Sequence, residues 1–391
     1  MHKVLVLDAN QRSALAVIRS LGRRGLKVIA ADHRPQSIGA ASKYAITSVR
    51  YPDPATSPRA FVEEIAAVSG HFGIDIIIPV TDLTTMLLTS QPDLSKIARL
   101  ATPRADSYDT LTDKARLVEL ASRLAIPVPV TRIALSPSAV VDAAHDLGFP
   151  LVLKPARSRY LKGDQVLSTS VEIISTPDGL ATALRRQKWL SDIPCLVQRF
   201  VPGYGAGMFA LYGPSGPIAW FAHRRLREKP PSGGVSVLSE SAPIDPAMQS
   251  VAAKLLCAAN WTGVAMVEFR VGQDGTPYLM EVNGRFWGSL QLAIDSGVDF
   301  PWLLYQLTQG LPIDAPQSYA IGRRLRWLLG DVDSLISELR QNRAQLNHQA
   351  RAIAAFARSF TDANCRQEIL RSHDLRPAAV ESWQWIRALF K

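Results

Sequence analysis

The stretch VAMVEFRVGQDGTPYLMEVNGR, residues 264–285, reads as two apolar strands around Asp274-Gly275. Asp-Gly between alternating apolar residues is a strong hairpin signal, because it suits a two-residue turn with positive φ. With that turn, Gln273 faces Thr276, and the ladder carries Glu268 opposite Glu281 and Met266 opposite Asn283. A different turn length would shift every pair. Side chains alternate along a strand, so Glu281 and Asn283 share one face and Glu268 lies on the matching face of its partner. Directly opposed residues have Cβ atoms about 4.5–5.5 Å apart, where like charges destabilise. Two opposed acids in apolar strands need a cation, or one must keep its proton. Magnesium takes oxygen ligands and works with one or two carboxylates plus phosphate oxygens. Two carboxylates, an amide oxygen and Arg285 beyond them can therefore hold one or two Mg²⁺ against a polyphosphate. The competing reading is a structural acid–arginine network in which Arg285 neutralises one glutamate.

The chain around this hairpin has 391 residues, 47% hydrophobic and 20% charged, an ordinary soluble composition with room for two or three domains. No apolar run reaches the roughly 18 residues of a membrane span. The opening MHKVLVLDANQRSA has only a short apolar stretch and reads as a first strand, not a signal peptide. Cys195, Cys257 and Cys365 lie far apart without metal-ligand spacing, which fits a reducing cytoplasm. The net charge of +10 favours anionic partners. Half of it lies in Ala320–Lys391, with twelve Lys/Arg against seven Asp/Glu. No nucleic-acid motif accompanies it, so a solvated, Arg-rich helical surface is expected rather than a nucleic-acid interface.

Residues 1–108 alternate strand and helix signals. KVLVLD (3–8), KVIAAD (27–32) and IDIIIPVTD (74–82) read as strands, with helices over 12–25 and 61–73. This order predicts a doubly wound parallel α/β sheet. The first turn, DANQRSA, lacks the glycines that bring a backbone against a pyrophosphate, so Asp32 reads as a surface or capping acid. Thr81 and Asp82 end the third strand at the carboxyl edge, where open sheets bind ligands; a helix cap serves them equally well. Next comes a helix capped by Thr112 or Asp113. Strands follow at LGFPLVLKPA (147–156) and IPCLVQRFVPGYGAG (193–207), and the stretch after about 320 has helical spacing.

Lys154 ends an apolar strand before a proline, and Lys114 starts a helix, where a cation is disfavoured unless an anion binds. Each alone also reads as a solvated surface lysine. QRFV (198–201) suits a slot in which an extended backbone reads an adenine edge.

Together LTDK (111–114), LVLKP (151–155), VQRFVPG (197–203), VAMVEF (264–269) and MEVNGRFWGS (280–289) resemble the ATP-grasp superfamily. The likeness is strongest to stand-alone relatives of the carbamoyl-phosphate synthase grasp, of carboxylate–amine ligase type. It covers about 110–310, and AHRRLREKPPSGGVSVLSES (222–241) adds to it. The resemblance implies an α/β domain (1–108), an ATP-grasp domain (109–312, divided at 192/193) and a helical C-terminal extension (313–391). It implies that Lys114 and Lys154 contact ATP phosphates. Gln198, Arg199 and Val201 line the adenine slot, Val201 through its backbone. Glu268 binds one Mg²⁺, Glu281 bridges two and Asn283 binds the second, with Mn²⁺ as a substitute. Arg285 stabilises the transferred phosphoryl group, and the loop 157–165 is a mobile cover. Arg224, Arg225, Ser232, Gly233 and Gly234 face the acceptor side, and with Thr81 and Asp82 at the sheet edge they are the expected contacts of small-molecule carboxylate and amine substrates. The implied reaction activates a carboxylate as an acyl phosphate and couples it to an amine, releasing ADP and phosphate. A carboxylase or carbamoyl-phosphate-type enzyme and a non-catalytic ATP-binding protein are the alternatives. Dimerisation is compatible with the fold, without a residue that signals it. Two departures stand out. Tyr204-Gly205-Ala206-Gly207 lacks the acid that holds the ribose in relatives, and Gly284 replaces their proline, which is expected to loosen the turn aiming Arg285.

Overall fold

The computed structural model describes residues 2–231, 234–341 and 346–390, so Ser232 and Gly233 lie outside the described residues. The first hundred residues form β1 (Lys3–Val6), α1 (Arg12–Arg23), β2 (Lys27–Asp32), β3 (Ala45–Arg50), α2 (Pro58–Phe72), β4 (Ile76–Ile78), α3 (Asp82–Thr89) and β5 (Arg99–Leu100). Their sheet is parallel, in the order β3-β2-β1-β4-β5. The three expected strands form its centre. The edge strands β3, largely exposed, and β5, two residues long, are additions, because neither carries an apolar run. Alternate residues bury on both faces, as in sheets covered by helices on both sides. Leu5, Ile29 and Ile77 pack with Phe61 and Ile65 of α2. Val4, Val28 and Ile76 share a core with Phe286, Trp287 and Phe300, more than 200 residues further on. That common core joins the first sheet to the segment that follows the carboxylate hairpin.

The chain continues through α4 (Ala105–Thr112), α5 (Lys114–Arg123), β6 (Thr131–Ala134), α6 (Pro137–Leu147), β7 (Leu151–Pro155), β8 (Arg159–Lys162), β9 (Gln165–Ser168), β10 (Glu172–Ile174), α7 (Pro177–Arg186) and β11 (Cys195–Arg199). Asp113 is the cap of α5, accepting from the amides of Ala115 and Arg116. β10, β7, β11 and β6 form an antiparallel sheet. Leu151, Leu153, Cys195 and Val197 pack towards Ala143 of α6 and Ala183 of α7. Alternation therefore puts Val152, Lys154, Leu196 and Gln198 on the other face. β8 and β9 pair as a separate hairpin that carries the 157–165 loop, and the Val166 amide donates to the Ala55 carbonyl (2.8 Å).

The rest comprises β12 (Gly203–Gly213), β13 (Gly216–Lys229), β14 (Val235–Ser241), α8 (Pro246–Ala258), β15 (Gly263–Gly272), β16 (Pro277–Asn283), α9 (Leu290–Asp295), α10 (Phe300–Gln309), β17 (Arg324–Arg326), α11 (Leu328–Gln341), α12 (Leu346–Thr361), β18 (Cys365–Gln367) and α13 (Arg376–Leu389). The third sheet runs β16-β15-β12-β13-β14-β17-β18. The C-terminal stretch is mainly helical, as expected, but it also adds β17 and β18 to this sheet. No helix among the described residues is long and apolar enough to cross a membrane.

The hairpin turn differs from the expected two-residue form. The Gly275 amide donates to the Gly272 carbonyl (3.0 Å), as does the Gly272 amide to Thr276 (3.0 Å), and Gly275 has a φ of +81°. Gln273, Asp274 and Gly275 thus make a three-residue loop, which moves the nearby register by one: Phe269 faces Leu279 and Arg270 faces Tyr278. An irregularity at Met280 moves it back, so that Glu268 faces Glu281 and Met266 faces Asn283. The expected acid pair arises from two shifts that cancel. The bulge also lets Leu279 and Val282, an odd number of residues apart, both enter the core with Val267 and Phe269.

Gly284 is where this strand leaves the sheet. A Cβ there would lie 2.6 Å from Trp261 Cη2 and 3.1 Å from Tyr108 Cδ2. Trp261 is 2% exposed and has nowhere to retreat. Gly284→Ala is expected to destabilise by about 1–3 kcal/mol, as overpacking does. The urea midpoint should fall at constant m; an unchanged midpoint would mean the ring yields freely.

Candidate active site

Glu268 and Glu281 face one another across β15 and β16, and three elements bring cations to them. The first is the junction of α5 with β7. The Lys114 amide donates to the Ala156 carbonyl (2.8 Å), tying the helix start to the strand end that carries Lys154. Both lysines are buried. Lys114 Nζ lies 3.2 Å from Glu281 Oε2 and donates to Ser158 Oγ (3.3 Å). The anion that offsets a cation at this helix start is thus Glu281. Burial pushes the Lys154 amine down to about 8, assisted by Lys114 and opposed by Glu281 and Glu268.

The second element is β13. Arg225 Nη2 donates to Glu268 Oε2 (3.0 Å) and Nη1 to Glu228 Oε1 (3.0 Å). The third is the turn after β16. Arg285 gives a two-pronged bond to Asp82, Nε to Oδ1 and Nη2 to Oδ2, both 3.1 Å. It also donates to the Phe286 carbonyl (3.0 Å) and to Asn283 Oδ1 (3.3 Å). Arg285 is therefore held firmly despite Gly284, contrary to the expectation of a loosened turn. Asn283 Nδ2 reaches Glu268 Oε1 at 3.0 Å and Glu281 Oε1 at 3.3 Å.

The two acids differ electrostatically. Burial works against ionised Glu281, but Lys114 and Lys154 outweigh it and hold this carboxyl down to about 2. Burial and then the Glu281 charge push Glu268 upward, against Arg225 and Arg285. Among the described residues no group of three or more His, Cys, Asp or Glu is placed to hold a metal. Two carboxylates and an amide are a partial ligand set, of the kind that suits a magnesium ion sharing phosphate oxygens.

The remaining sequence-derived residues divide. Gln198 is buried on the same face as Lys154; its Nε2 donates to Thr131 Oγ1 (2.9 Å), and its Oε1 has no hydrogen-bond partner among the described residues. The Val201 carbonyl accepts from Arg270 Nε (3.1 Å), and Arg199 is exposed at the strand end. Thr81 caps α3 through the Thr84 amide (3.3 Å). Asp82 holds Arg285. Arg224, next to Arg225 but on the opposite face of β13, pairs with Glu240. Gly234 lines the same cavity as Arg225 and Arg285. The 157–165 loop is anchored by Arg157, whose Nε reaches Asp113 Oδ2 (3.0 Å) and whose Nη1 reaches Asp109 Oδ1 (3.1 Å). Sequence reasoning missed the Asp82–Arg285 and Arg225–Glu268 pairs. Alternation in the Arg224-Arg225 pair was the one signal available: only one of the two can face the acids.

A family model described as "ATP-grasp in the biosynthetic pathway with Ter operon" matches residues 218–329. Biotin carboxylase from Campylobacter jejuni, solved as a β-γ-ATP complex, superposes with a TM-score of 0.65 at 16% identity, covering 82% of this chain and 74% of that one. The chain is thus similar to ATP-grasp proteins over 218–329 in sequence, and to biotin carboxylase in fold. Another structure similar in fold to this chain is an L-amino acid ligase from Bacillus licheniformis, with a TM-score of 0.61, 15% identity and coverage of 79% and 74%. In sequence, it is 22% identical over 193 residues to the C-terminal section of the carbamoyl phosphate synthase large chain of Methanopyrus kandleri. That match takes in 47% of this chain and spans about a third, 32%, of the relative's length.

The lowered Lys154 amine has a consequence for stability. Between about pH 8 and the unfolded lysine's 10.5, the unfolded chain holds a proton that folded Lys154 has released. Stability from this group therefore rises with pH across that window and is flat below it. In denaturant titrations from pH 7 to 10.5, wild type should gain on Lys154→Met by on the order of 1 kcal/mol per pH unit above 8. A constant difference would contradict the shift.

Proposed function

We propose that this protein is an ATP- and Mg²⁺-dependent ligase that activates a carboxylate as an acyl phosphate and joins it to an amine, releasing ADP and phosphate. The observation that carries the reading is the opposed pair Glu268–Glu281, flanked by Lys114, Lys154, Arg225 and Arg285. A half-buried acid pair of this kind calls for further positive charge, and the polar atoms around it are oxygen ligands. Glu268 and Glu281 would hold the metal, with the Asn283 oxygen once that amide turns over. Magnesium bound there would offset charge on phosphate oxygens.

Each residue then has a task within reach of its present position. Lys154, on the face shared with Gln198, and Lys114, at the start of α5, bind the phosphates. The buried Gln198 Oε1 is an acceptor suited to a base amino group. Arg285, fixed by Asp82, Asn283 and the Phe286 carbonyl, presents its remaining N–H and its charge to the reacting carboxylate or the phosphoryl oxygens, and fixed donors of this kind need no reorganisation as charge develops. The β8–β9 hairpin covers the phosphate side and keeps water from an activated acyl group. No side-chain nucleophile is needed: the carboxylate attacks phosphorus, and the amine then displaces phosphate. Similarity to an L-amino acid ligase of related fold supports this class.

The test is product analysis with Mg²⁺-ATP and pools of carboxylates and amines. ADP and phosphate should appear together and rise when acid and amine are both present. AMP with pyrophosphate would overturn the mechanism. Glu281→Gln should lower turnover on the order of a hundredfold or more while leaving the fold intact; full activity would remove the metal assignment.

A further inference from the structure

Two cavities meet at Glu281. One contains Lys114, Asp82 and Arg157. The other, about 310 Å³, contains Glu268, Arg285, Arg225 and a residue from far away in the chain, Arg12. Arg12 is the first residue of α1, in the first domain. Its guanidinium lies 4.1 Å over the ring of Trp327, and Nη1 bonds the buried carboxylate of Glu368. Seven residues on, along the same face of α1, Arg19 donates to the Glu368 and Ile369 carbonyls (3.1 and 2.8 Å) and to Asp374 (2.9 Å). The C-terminal segment thus grips α1 at two points and sets the position of Arg12 at the cavity wall. A cation at a helix start is electrostatically disfavoured, and Glu368 compensates for it.

In the lining of this cavity cations outnumber acids, although Arg12, Arg225 and Arg285 each also pair with an acid outside it, Glu368, Glu228 and Asp82. Its only acids among the described residues are Glu268 and Glu281. With those two committed to a metal, the charged groups left are the guanidiniums of Arg12, Arg225 and Arg285. His223, also in the wall, is kept neutral by burial and by Arg225. Trp287 and Met266 supply apolar surface between the cations. One guanidinium is enough for a reacting carboxylate. A further one, separately clamped in a cavity of this size, offers a place for a further anion on the same small molecule.

We propose that Arg12 is a specificity residue that binds a second anionic group, carboxylate or phosphate, on the acid substrate, and that the C-terminal segment holds it there through Glu368 and Trp327. This rests on the ligase reading for the identity of the reacting group, but dianion binding can be measured without it. The experiment is calorimetry on the full chain with succinate and glutarate, with 3-phosphoglycerate, and with chain-matched butyrate and valerate. Each is titrated with and without Mg²⁺ and a non-hydrolysable ATP analogue. Dianions should bind at least tenfold tighter than their monoanionic matches; the dicarboxylate and phosphate arms identify which second anion is preferred. Arg12→Gln should remove that preference and leave monoanion and nucleotide affinities unchanged, and Arg12→Lys should restore part of it. Unaltered nucleotide affinity also verifies that each variant is folded; if Arg12→Gln fails that check, Arg12→Lys is read in its place, with a reduced preference expected. Equal binding of both classes to wild type, or equal weakening of both in the variant that folds, would overturn the proposal. Absence of nucleotide binding to wild type would sink the ligase reading instead, and the nucleotide-free titrations would still decide the role of Arg12.

Discussion

Two carboxylates opposed across a hydrogen-bonded ladder repel, and neither can move away without breaking the sheet. Glu268 and Glu281 are in that position, and much of this protein is arranged to make it tolerable. Lys114 and Lys154 lie beside Glu281, Arg225 takes Glu268, and the Asn283 amide spans both. The asymmetry matters chemically. Glu281 is well supplied with cations and stays ionised, whereas Glu268 is pushed towards its neutral form. Such a pair gains from an added cation far more than a surface pair would, because partial burial weakens solvent screening.

The compensating charges come from elements that are distant in sequence, so the tertiary core has to deliver them. One connection is the amide of Lys114 on the carbonyl of Ala156, which joins two lysines 40 residues apart. Another is the core shared by the first sheet with Phe286, Trp287 and Phe300. That core sets α3 beside the turn after β16, where Asp82 meets Arg285. A third is the grip of the C-terminal segment on α1. Long ion pairs at an exposed surface contribute little. These are largely withdrawn from solvent and multiply hydrogen-bonded, so their value lies in fixing geometry.

In the proposed function the nucleotide side would be built differently from the acceptor side. Around Gln198 the group on offer is a buried amide oxygen, which would read hydrogen-bond pattern. Around Arg12, Arg225 and Arg285 the groups are guanidiniums, which read charge and planarity. The cavity lined by Arg12, Arg225 and Arg285 shares Glu281 with the one lined by Lys114.

Much of this architecture was legible in the chain. Apolar periodicity revealed the parallel sheet, and Asp274-Gly275 revealed the hairpin; both are local signals that neighbouring residues carry alone. The acid pair was legible too, although by a turn that proved one residue longer and a bulge at Met280 that restored the register. Edge strands β3 and β5 were not, since exposed or very short strands need no apolar pattern. The partners of Arg285, Glu268 and Arg12 were also out of reach. By itself, then, the sequence determined the central strands of the first sheet, the hairpin, and that two acids face each other across it. Only the tertiary structure decided which cation meets which acid, because an ion pair depends on separation in space, and residues 43, 203 or 356 positions apart carry no local trace of it.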